Sequence, residues 1–144
     1  MESIAASVRT NFARQDFMDT VGAKLTEVDD GRVVIEFAPR PGILQQHGYV
    51  HAGVVSSVLD SACGYAALTK MTPGSEVLSV EFKTNLLAPA AGEKIVVEGR
   101  VLRAGRLITV CRADAHAHDG DRITLIATML GTMIRRGPGG APAS

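Results

Sequence analysis

The chain has 144 residues, of which 46% are hydrophobic and 21% charged, so its size and composition fit one soluble globular domain. Its 15 basic and 15 acidic residues give a formal net charge of zero, and only 4% of its residues are aromatic. These values argue against a nucleic-acid-binding surface and against binding to an anionic membrane.

The first residues contain Glu2 and no continuous apolar core, so we expect no signal peptide. No segment approaches the roughly 18 apolar residues that a membrane span needs. Cys63 and Cys111 lie in apolar runs without metal spacing or a disulfide framework, which predicts reduced, buried thiols. We therefore predict a cytoplasmic protein.

Three elements are predicted in the first half of the chain. Residues 3–15 carry apolar side chains at every fourth position, which is typical of a short amphipathic helix. Residues 22–28 and 32–38 are rich in β-branched residues around a glycine turn, which predicts a hairpin. Residues 52–71 repeat apolar positions at helical spacing and predict a long central helix.

Four strands are predicted in the second half, at residues 77–87, 94–103, 107–117 and 122–135. Their short connections favour antiparallel neighbours. One long helix and about six strands indicate an α+β fold in which the sheet wraps around the helix. Because this helix is apolar on most faces, we expect a partner subunit to cover what the sheet leaves open. Residues 1–136 are predicted to form a single domain, and 137–144 a disordered tail.

A polar, glycine-containing run at residues 45–53 leads into the central helix, and Asp60 follows inside an apolar stretch. A helix start offers unpaired backbone N–H groups to a carbonyl oxygen. An unpaired carboxylate on a buried face of a helix destabilises the fold, so its presence there indicates a function. The pattern predicts an oxyanion site and a catalytic carboxylate. The alternative is a structural Asp60 that only hydrogen-bonds a neighbouring amide or hydroxyl.

The small residues around Asp60 share one face of the predicted helix, which leaves room there for a ligand or another backbone. They are Gly53, Ser56, Ser57 and Gly64. Ala52 and Asp60 are separated by about 12 Å along the helix axis, at 1.5 Å per residue. One substrate carbonyl group cannot easily reach both in one subunit. We therefore predict a dimer with the site at its interface.

The histidines of the loop are not predicted to bind metal. His47 and His51 are separated by Gly48, and no third ligand is evident. A neutral His51 that ties the loop to the backbone is the better interpretation. We predict no metal and no cofactor.

The string His-Gly-Tyr-Val-His-Ala-Gly at residues 47–53, followed by Asp60 and Gly64, resembles the hot-dog fold acyl-CoA thioesterases of the PaaI-like, phenylacetate-degradation type. The resemblance covers most of the chain. Residues 17–23 look like the family's first strand, and residues 79–90 look like the strand after the helix. It implies the hot-dog fold, with a long central helix wrapped by a curved, mainly antiparallel sheet.

The resemblance also implies roles for individual residues. Asp60 matches the carboxylate that acts as general base or nucleophile. Ala52 and Gly53 match the helix-start pair whose backbone N–H groups polarise the thioester carbonyl. Gln45 falls where many relatives have an asparagine near the thioester, and Ser79 where some have a hydroxyl that orients the attacking water. Two departures are Gln45 itself and Ala52, which stands in place of a glycine.

Further substrate contacts are predicted at His51, Gly48, Ser57, Gly64 and Phe82. Candidates for the CoA phosphates are Arg103, Arg106, Arg135 and Arg136, and solvated surface charge is the alternative for each. Apolar residues that could line an acyl pocket, besides Phe82, are Tyr65, Leu68 and Leu87.

The predicted function is hydrolysis of an acyl-CoA to free acid and CoA by a homodimer or a dimer of dimers. The chain contains no Gly-x-Ser-x-Gly elbow, which argues against a serine hydrolase. Two alternatives stay open: a non-catalytic acyl-CoA-binding or sensor module, and a hydratase or dehydratase that pairs His51 with Asp60. The acyl group cannot be assigned from the sequence.

Overall fold

The computed structural model describes residues 2–137. Its helices are α1 (Ile4–Ala13), α2 (Asp16–Val21) and α3 (Ala52–Leu68). Its strands are β1 (Lys24–Asp29), β2 (Arg32–Phe37), β3 (Glu76–Leu86), β4 (Lys94–Ala104), β5 (Ile108–Asp119) and β6 (Arg122–Arg136). The predicted tail lies outside the described residues, apart from Gly137. None of the described helices is long and apolar enough to cross a membrane.

All strand pairs are antiparallel, and the six strands follow the order β1-β2-β4-β5-β6-β3. The predicted α+β hot-dog fold, one long helix packed on a curved antiparallel sheet, is therefore confirmed. The strands are not arranged in sequence order, because β3 pairs with β6 at the edge of the sheet opposite β1. Short local connections join β4, β5 and β6, but the connection from β3 to β4 crosses to another part of the sheet.

The core lies between α3 and the sheet. Val58, Leu59 and Ala62 of α3 are fully buried against strand residues such as Ile95 and Val97. The two layers approach closely at Gly99, where an added Cβ would lie 2.4 Å from the carbonyl oxygen of Ala62. Any larger residue at position 99 would push the helix away from the sheet. Both cysteines are buried and free, as predicted.

The N-terminal segment contains a helix where the resemblance placed a strand. Phe17 and Met18 lie in α2, a six-residue helix that ends at Gly22 in the left-handed conformation with φ 77°. The strand prediction for residues 17–23 is therefore wrong. Burial of Met18 and Val21 in the core stabilises this short helix.

The central helix ends earlier than its apolar pattern predicts, at Leu68 rather than at residue 71. The hydroxyl of Thr69 donates to the carbonyl of Ala66 and accepts from the N–H of Gly31 in the β1–β2 turn. This side chain therefore closes the helix and ties it to the hairpin, which the apolar pattern alone does not reveal.

Candidate active site

The side chain of Gln45 stabilises the turn in the loop before α3. Its side-chain oxygen accepts hydrogen bonds from the backbone N–H groups of His47 at 2.5 Å and Tyr49 at 3.3 Å. Gly48 has φ 87°, a conformation that L-residues rarely adopt, so this position favours glycine. Gln45 and Gly48 therefore shape the loop in front of the helix.

His51 is the N-cap of α3. Its Nδ1 accepts the N–H of Gly53 at 2.8 Å. This hydrogen bond ties the His51 side chain to the backbone at the start of the helix. It also occupies the Gly53 N–H, which the resemblance had assigned to the thioester carbonyl.

The backbone N–H of Ala52 makes no hydrogen bond within residues 2–137, and Ala52 is exposed. It borders a cavity of about 390 Å³, which we call the helix-start cavity. The lining residues are Gln45, Gln46, Tyr49, Val50, His51, Ala52, Val55, Leu86, Ala88, Pro89, Ala90 and Ile126. Of the two predicted amide donors, Ala52 alone is available to a ligand.

Asp60 is half-buried and accepts a hydrogen bond from the hydroxyl of Ser79, with 2.5 Å between Oγ and Oδ1. Burial raises the pKa of Asp60 above that of an ordinary aspartate, and the bond from Ser79 acts in the opposite direction. A purely bracing carboxylate could make the same bond. However, the second oxygen, Oδ2, makes no hydrogen bond within the described part of the chain, which favours a reactive role.

Asp60 borders a second cavity, of about 330 Å³, which we call the Asp60 cavity. The lining residues are Asn11, Gln15, Asp60, Ser61, Gly64, Tyr65, Glu76, Val77, Leu78, Ser79 and Met133. Gly64 lies in this cavity as predicted, and an added Cβ there would only reach ordinary contact, 3.8 Å from Val77. Ser57 lines neither cavity and donates to the carbonyl of Gly53 in its own helix.

The two cavities share no lining residue. The Asp60 cavity contacts the beginning of β3, at residues 76–79, whereas the helix-start cavity contacts Leu86 and residues 88–90 after it. Within one chain, Ala52 and Asp60 therefore face different spaces. This separation agrees with the helical distance expected from the sequence.

The remaining predicted contacts lie away from these cavities. Phe82 is 46% exposed on β3, and Arg103 and Arg106 are exposed near the β4–β5 turn. Leu68 is buried in the core and Leu87 is exposed. No group of three or more metal-ligating side chains occurs among residues 2–137.

The sequence alone did not identify Asn11 and Gln15 as residues of the candidate site. The hydroxyl of Tyr65 donates to Asn11 at 3.1 Å, and that of Ser61 donates to Gln15 at 3.2 Å. These bonds place both amide side chains in the wall of the Asp60 cavity. Their spacing of four residues, on one side of a predicted helix, was the available signal.

Comparisons with known proteins give independent information on the fold and the family. Residues 47–124 match the family model described as the thioesterase superfamily. A thioesterase family protein from Silicibacter pomeroyi is 44% identical, with a TM-score of 0.90 over 92% of this chain and 98% of that chain.

Two more distant proteins are also similar. The Escherichia coli PaaI protein from the phenylacetic acid degradation operon shares the fold, with 18% identity, a TM-score of 0.82, and coverage of 93% of this chain and 94% of that one. A 1,4-dihydroxy-2-naphthoyl-CoA hydrolase from Listeria monocytogenes is 23% identical over 61% of this chain and 72% of its own length.

Proposed function

This chain belongs to the thioesterase superfamily, and we propose that it is an acyl-CoA thioesterase that converts an acyl- or aryl-CoA and water to free acid and CoA. Family membership and the 44% identical thioesterase family protein confirm the predicted class, a thioester hydrolase. The observation that carries the proposal is Asp60, a half-buried carboxylate that borders a cavity, with a raised pKa and one oxygen bonded to the hydroxyl of Ser79. CoA as the leaving group is supported by the Listeria relative, whose name is that of a CoA-ester hydrolase.

The chemistry follows from the two groups that remain available to a ligand. The N–H of Ala52 donates to the thioester oxygen and stabilises the negative charge that develops there, a contribution of about 3–4 kcal/mol per donor. Asp60 takes a proton from water as the water attacks the carbonyl carbon. A carboxylate whose pKa is raised is a stronger base than an ordinary one. The tetrahedral intermediate then collapses, the C–S bond breaks and CoA leaves as the thiolate. Direct attack by Asp60 on the carbonyl is the other route that this position permits.

The N–H of Ala52 and the carboxylate of Asp60 act on one thioester if they come from different chains. The two edges of the sheet differ in a way that supports this. β1 has six residues, of which Lys24, Glu27 and Asp29 are exposed and charged, and it contains a bulge. β3 also contains a bulge, between Ser79 and Glu81, and exposed charged residues, but it has eleven residues and exposes Leu78, Val80, Phe82 and Leu86 by 46–58% each. The longer and more apolar edge offers more surface for pairing with another strand.

We infer that a second copy pairs with β3. Antiparallel pairing of two β3 strands about their middle residue, Glu81, sets residue 76 of one chain opposite residue 86 of the other. The Asp60 cavity lies beside residues 76–79 and the helix-start cavity beside Leu86, so the pairing joins one cavity of each type at both ends of the interface. Pairing of two such dimers, a cytoplasmic location, and CoA phosphate contacts at Arg103 and Arg106 belong to the same proposal.

A binding module without turnover is the second candidate. One observation favours it: the N–H of Gly53 is used in the helix cap, so only the N–H of Ala52 is left for the oxyanion. The hydratase alternative is weaker, because His51 and Asp60 line different cavities and Nδ1 of His51 is already engaged.

Release of free thiol from a panel of CoA esters tests the proposal, with acyl groups from acetyl to palmitoyl together with phenylacetyl and benzoyl. We expect turnover of one class, reduced about 10³-fold in Asp60→Asn because the base is lost. Asp121→Asn, at an exposed position outside both cavities, is the matched control. Binding of the esters without thiol release would favour the binding module. Equal turnover by Asp60→Asn would remove Asp60 from the mechanism.

A further inference from the structure

The open edge of β3 carries two opposite charges that are not paired with each other. Glu81 and Lys83 are exposed, and neither forms an ion pair among the described residues. The hydroxyl of Thr132 donates to Oε2 of Glu81 at 2.7 Å and holds the carboxylate in place. On the inner strand β5, by contrast, Asp114 pairs with Arg112 at 3.3 Å. The charges of the edge are therefore available to a partner.

The two charged side chains share one face of the sheet, and an aromatic ring lies between them on the other face. Glu81 and Lys83 are two residues apart in β3, so their side chains point the same way. Phe82 points toward α3, because a Cβ added to Gly131 would lie 3.6 Å from its Cβ and 3.7 Å from Sγ of Cys63. Phe82 is nevertheless 46% exposed, since nothing among the described residues covers its edge side.

This order of side chains is complementary to itself about a two-fold axis at Phe82. In antiparallel pairing about that residue, Glu81 lies opposite the partner's Lys83, and the reverse pair forms on the other side of the axis. Side chains directly opposite each other have Cβ atoms about 4.5–5.5 Å apart, within reach of an ion pair, and the two rings meet at the axis. By residue count the middle of β3 is Glu81, but an axis there sets two carboxylates opposite each other. The side chains therefore favour an axis one residue along.

An axis at Phe82 also sets the linings of the two cavities opposite each other. The bulge in β3 adds one residue, so that Val77 lies opposite the partner's Leu86. Val77 lines the Asp60 cavity, and Leu86 lines the helix-start cavity. With the axis one residue earlier, Val77 would lie opposite the partner's Thr84, which lines neither cavity.

We infer that Glu81, Phe82 and Lys83 form a self-recognition motif, by which the edge of β3 selects a second copy of this chain and sets the register that joins the two cavities. An edge strand that lacks the opposite charges at these two positions pairs less well with this one. The inference rests on the proposed function, because it takes from it the pairing of two β3 strands.

Charge exchange tests the motif. Glu81→Lys sets two lysines opposite each other on both sides of the axis, and Lys83→Glu does the same with two carboxylates. We expect either change to raise the dimer Kd about 10–100-fold in sedimentation velocity, because two cross-strand pairs are reversed. The double variant Glu81→Lys/Lys83→Glu should bring the Kd back close to that of the unmodified protein. Glu93→Lys, the same change at an exposed position before β4, is the matched control and should leave the Kd unchanged.

Mixing the two single variants gives a second readout. One chain then presents lysines at both positions and the other presents carboxylates, so the mixed dimer should form in preference to either homodimer. Different tags on the two chains allow native mass spectrometry to measure its share. We expect a share well above the statistical proportion, and we expect the excess to fall as salt is added, because salt screens exposed charges.

Each failure gives a different result. A dimer that both single changes weaken and the double variant does not restore would place the axis elsewhere, and would overturn the inference while pairing along β3 stands. Unchanged Kd in both single variants would overturn it as well. If Lys83→Glu instead raises the KM for CoA esters but not for N-acetylcysteamine esters, at unchanged Kd, Lys83 binds a CoA phosphate and the inference is wrong.

Failure of the proposed function looks different. Absence of turnover of every ester, in a dimer whose Kd follows the charge exchange, would reject the thioesterase and leave the motif intact. An unmodified protein that stays monomeric would reject the shared site and the motif together.

Discussion

The helix-start cavity and the Asp60 cavity differ in the chemistry that they offer a thioester. The first is lined mainly by apolar side chains and borders a free backbone donor at Ala52. The second is lined by more polar side chains and contains a carboxylate with a raised pKa. In the proposed mechanism, each contains one half of what hydrolysis requires. The difference teaches why the proposal needs two chains, with β3 as the element along which their cavities are joined.

The largest effect should come from separating the two cavities. Val80 is 56% exposed on β3, and Val80→Lys places a charge on the edge that we propose to pair. We expect a monomer by sedimentation velocity and a loss of about 10²–10⁴ in thiol release, because the base and the donor no longer meet. Leu102→Lys is the matched control, since Leu102 is 57% exposed on β4. A monomeric Val80→Lys protein with full activity would show that one chain suffices.

Next in size is the loss of the donor from the helix-start cavity. Ala52 is the first residue of α3, where proline is well tolerated, and His51 has φ −59° and ψ 136°, which suits a residue before proline. Ala52→Pro therefore deletes the N–H with little change to the helix. We expect kcat to fall about 10²–10³-fold, and Ala52→Gly, which keeps the N–H, to remain active. Unchanged kcat in Ala52→Pro would exclude this amide as the oxyanion donor.

A smaller effect should come from Ser79, which adjusts the Asp60 cavity without supplying the base. The bond from Ser79 lowers the pKa of Asp60 against the effect of burial, so Ser79→Ala should raise that pKa further. Asp60 must be ionised to act as a base, so the acid limb of the pH–rate profile should move to higher pH. The loss of activity should therefore be greatest on the acid side and recover as the pH rises. Ser79→Thr should restore the original profile. An unchanged acid limb in Ser79→Ala would show that Ser79 does not affect the pKa of Asp60.

Local patterns predicted most of the fold, because periodicity and turn residues determine elements such as α3 and the β1–β2 hairpin. The errors have non-local causes. Helix α2 is too short to show a period and is stabilised by burial of Met18. The pairing of β3 with β6 depends on contacts about 50 residues apart in the sequence.

The candidate site shows the same limit. The small-residue face predicted space at Asp60 and Gly64, and helix geometry predicted that Ala52 and Asp60 would be separated. Which amide remains free was not predictable, because it depends on the orientation of the His51 ring. The spacing of Asn11 and Gln15 places them on one side of a predicted helix, but it does not specify that this side packs against α3 beside Asp60.

Complementation between two inactive chains tests the shared site most directly. Asp60→Asn and Ala52→Pro are co-expressed with different affinity tags, and the mixed dimer is isolated by two successive purifications. If each site takes its donor from one chain and its base from the other, one site of the mixed dimer carries both defects and the other carries none. The account predicts recovery of about half the thiol-release rate of the unmodified dimer, against losses of at least about 10²-fold in either parent. A mixed dimer no more active than its parents would show that Ala52 and Asp60 of the same chain serve one thioester, and would contradict the account.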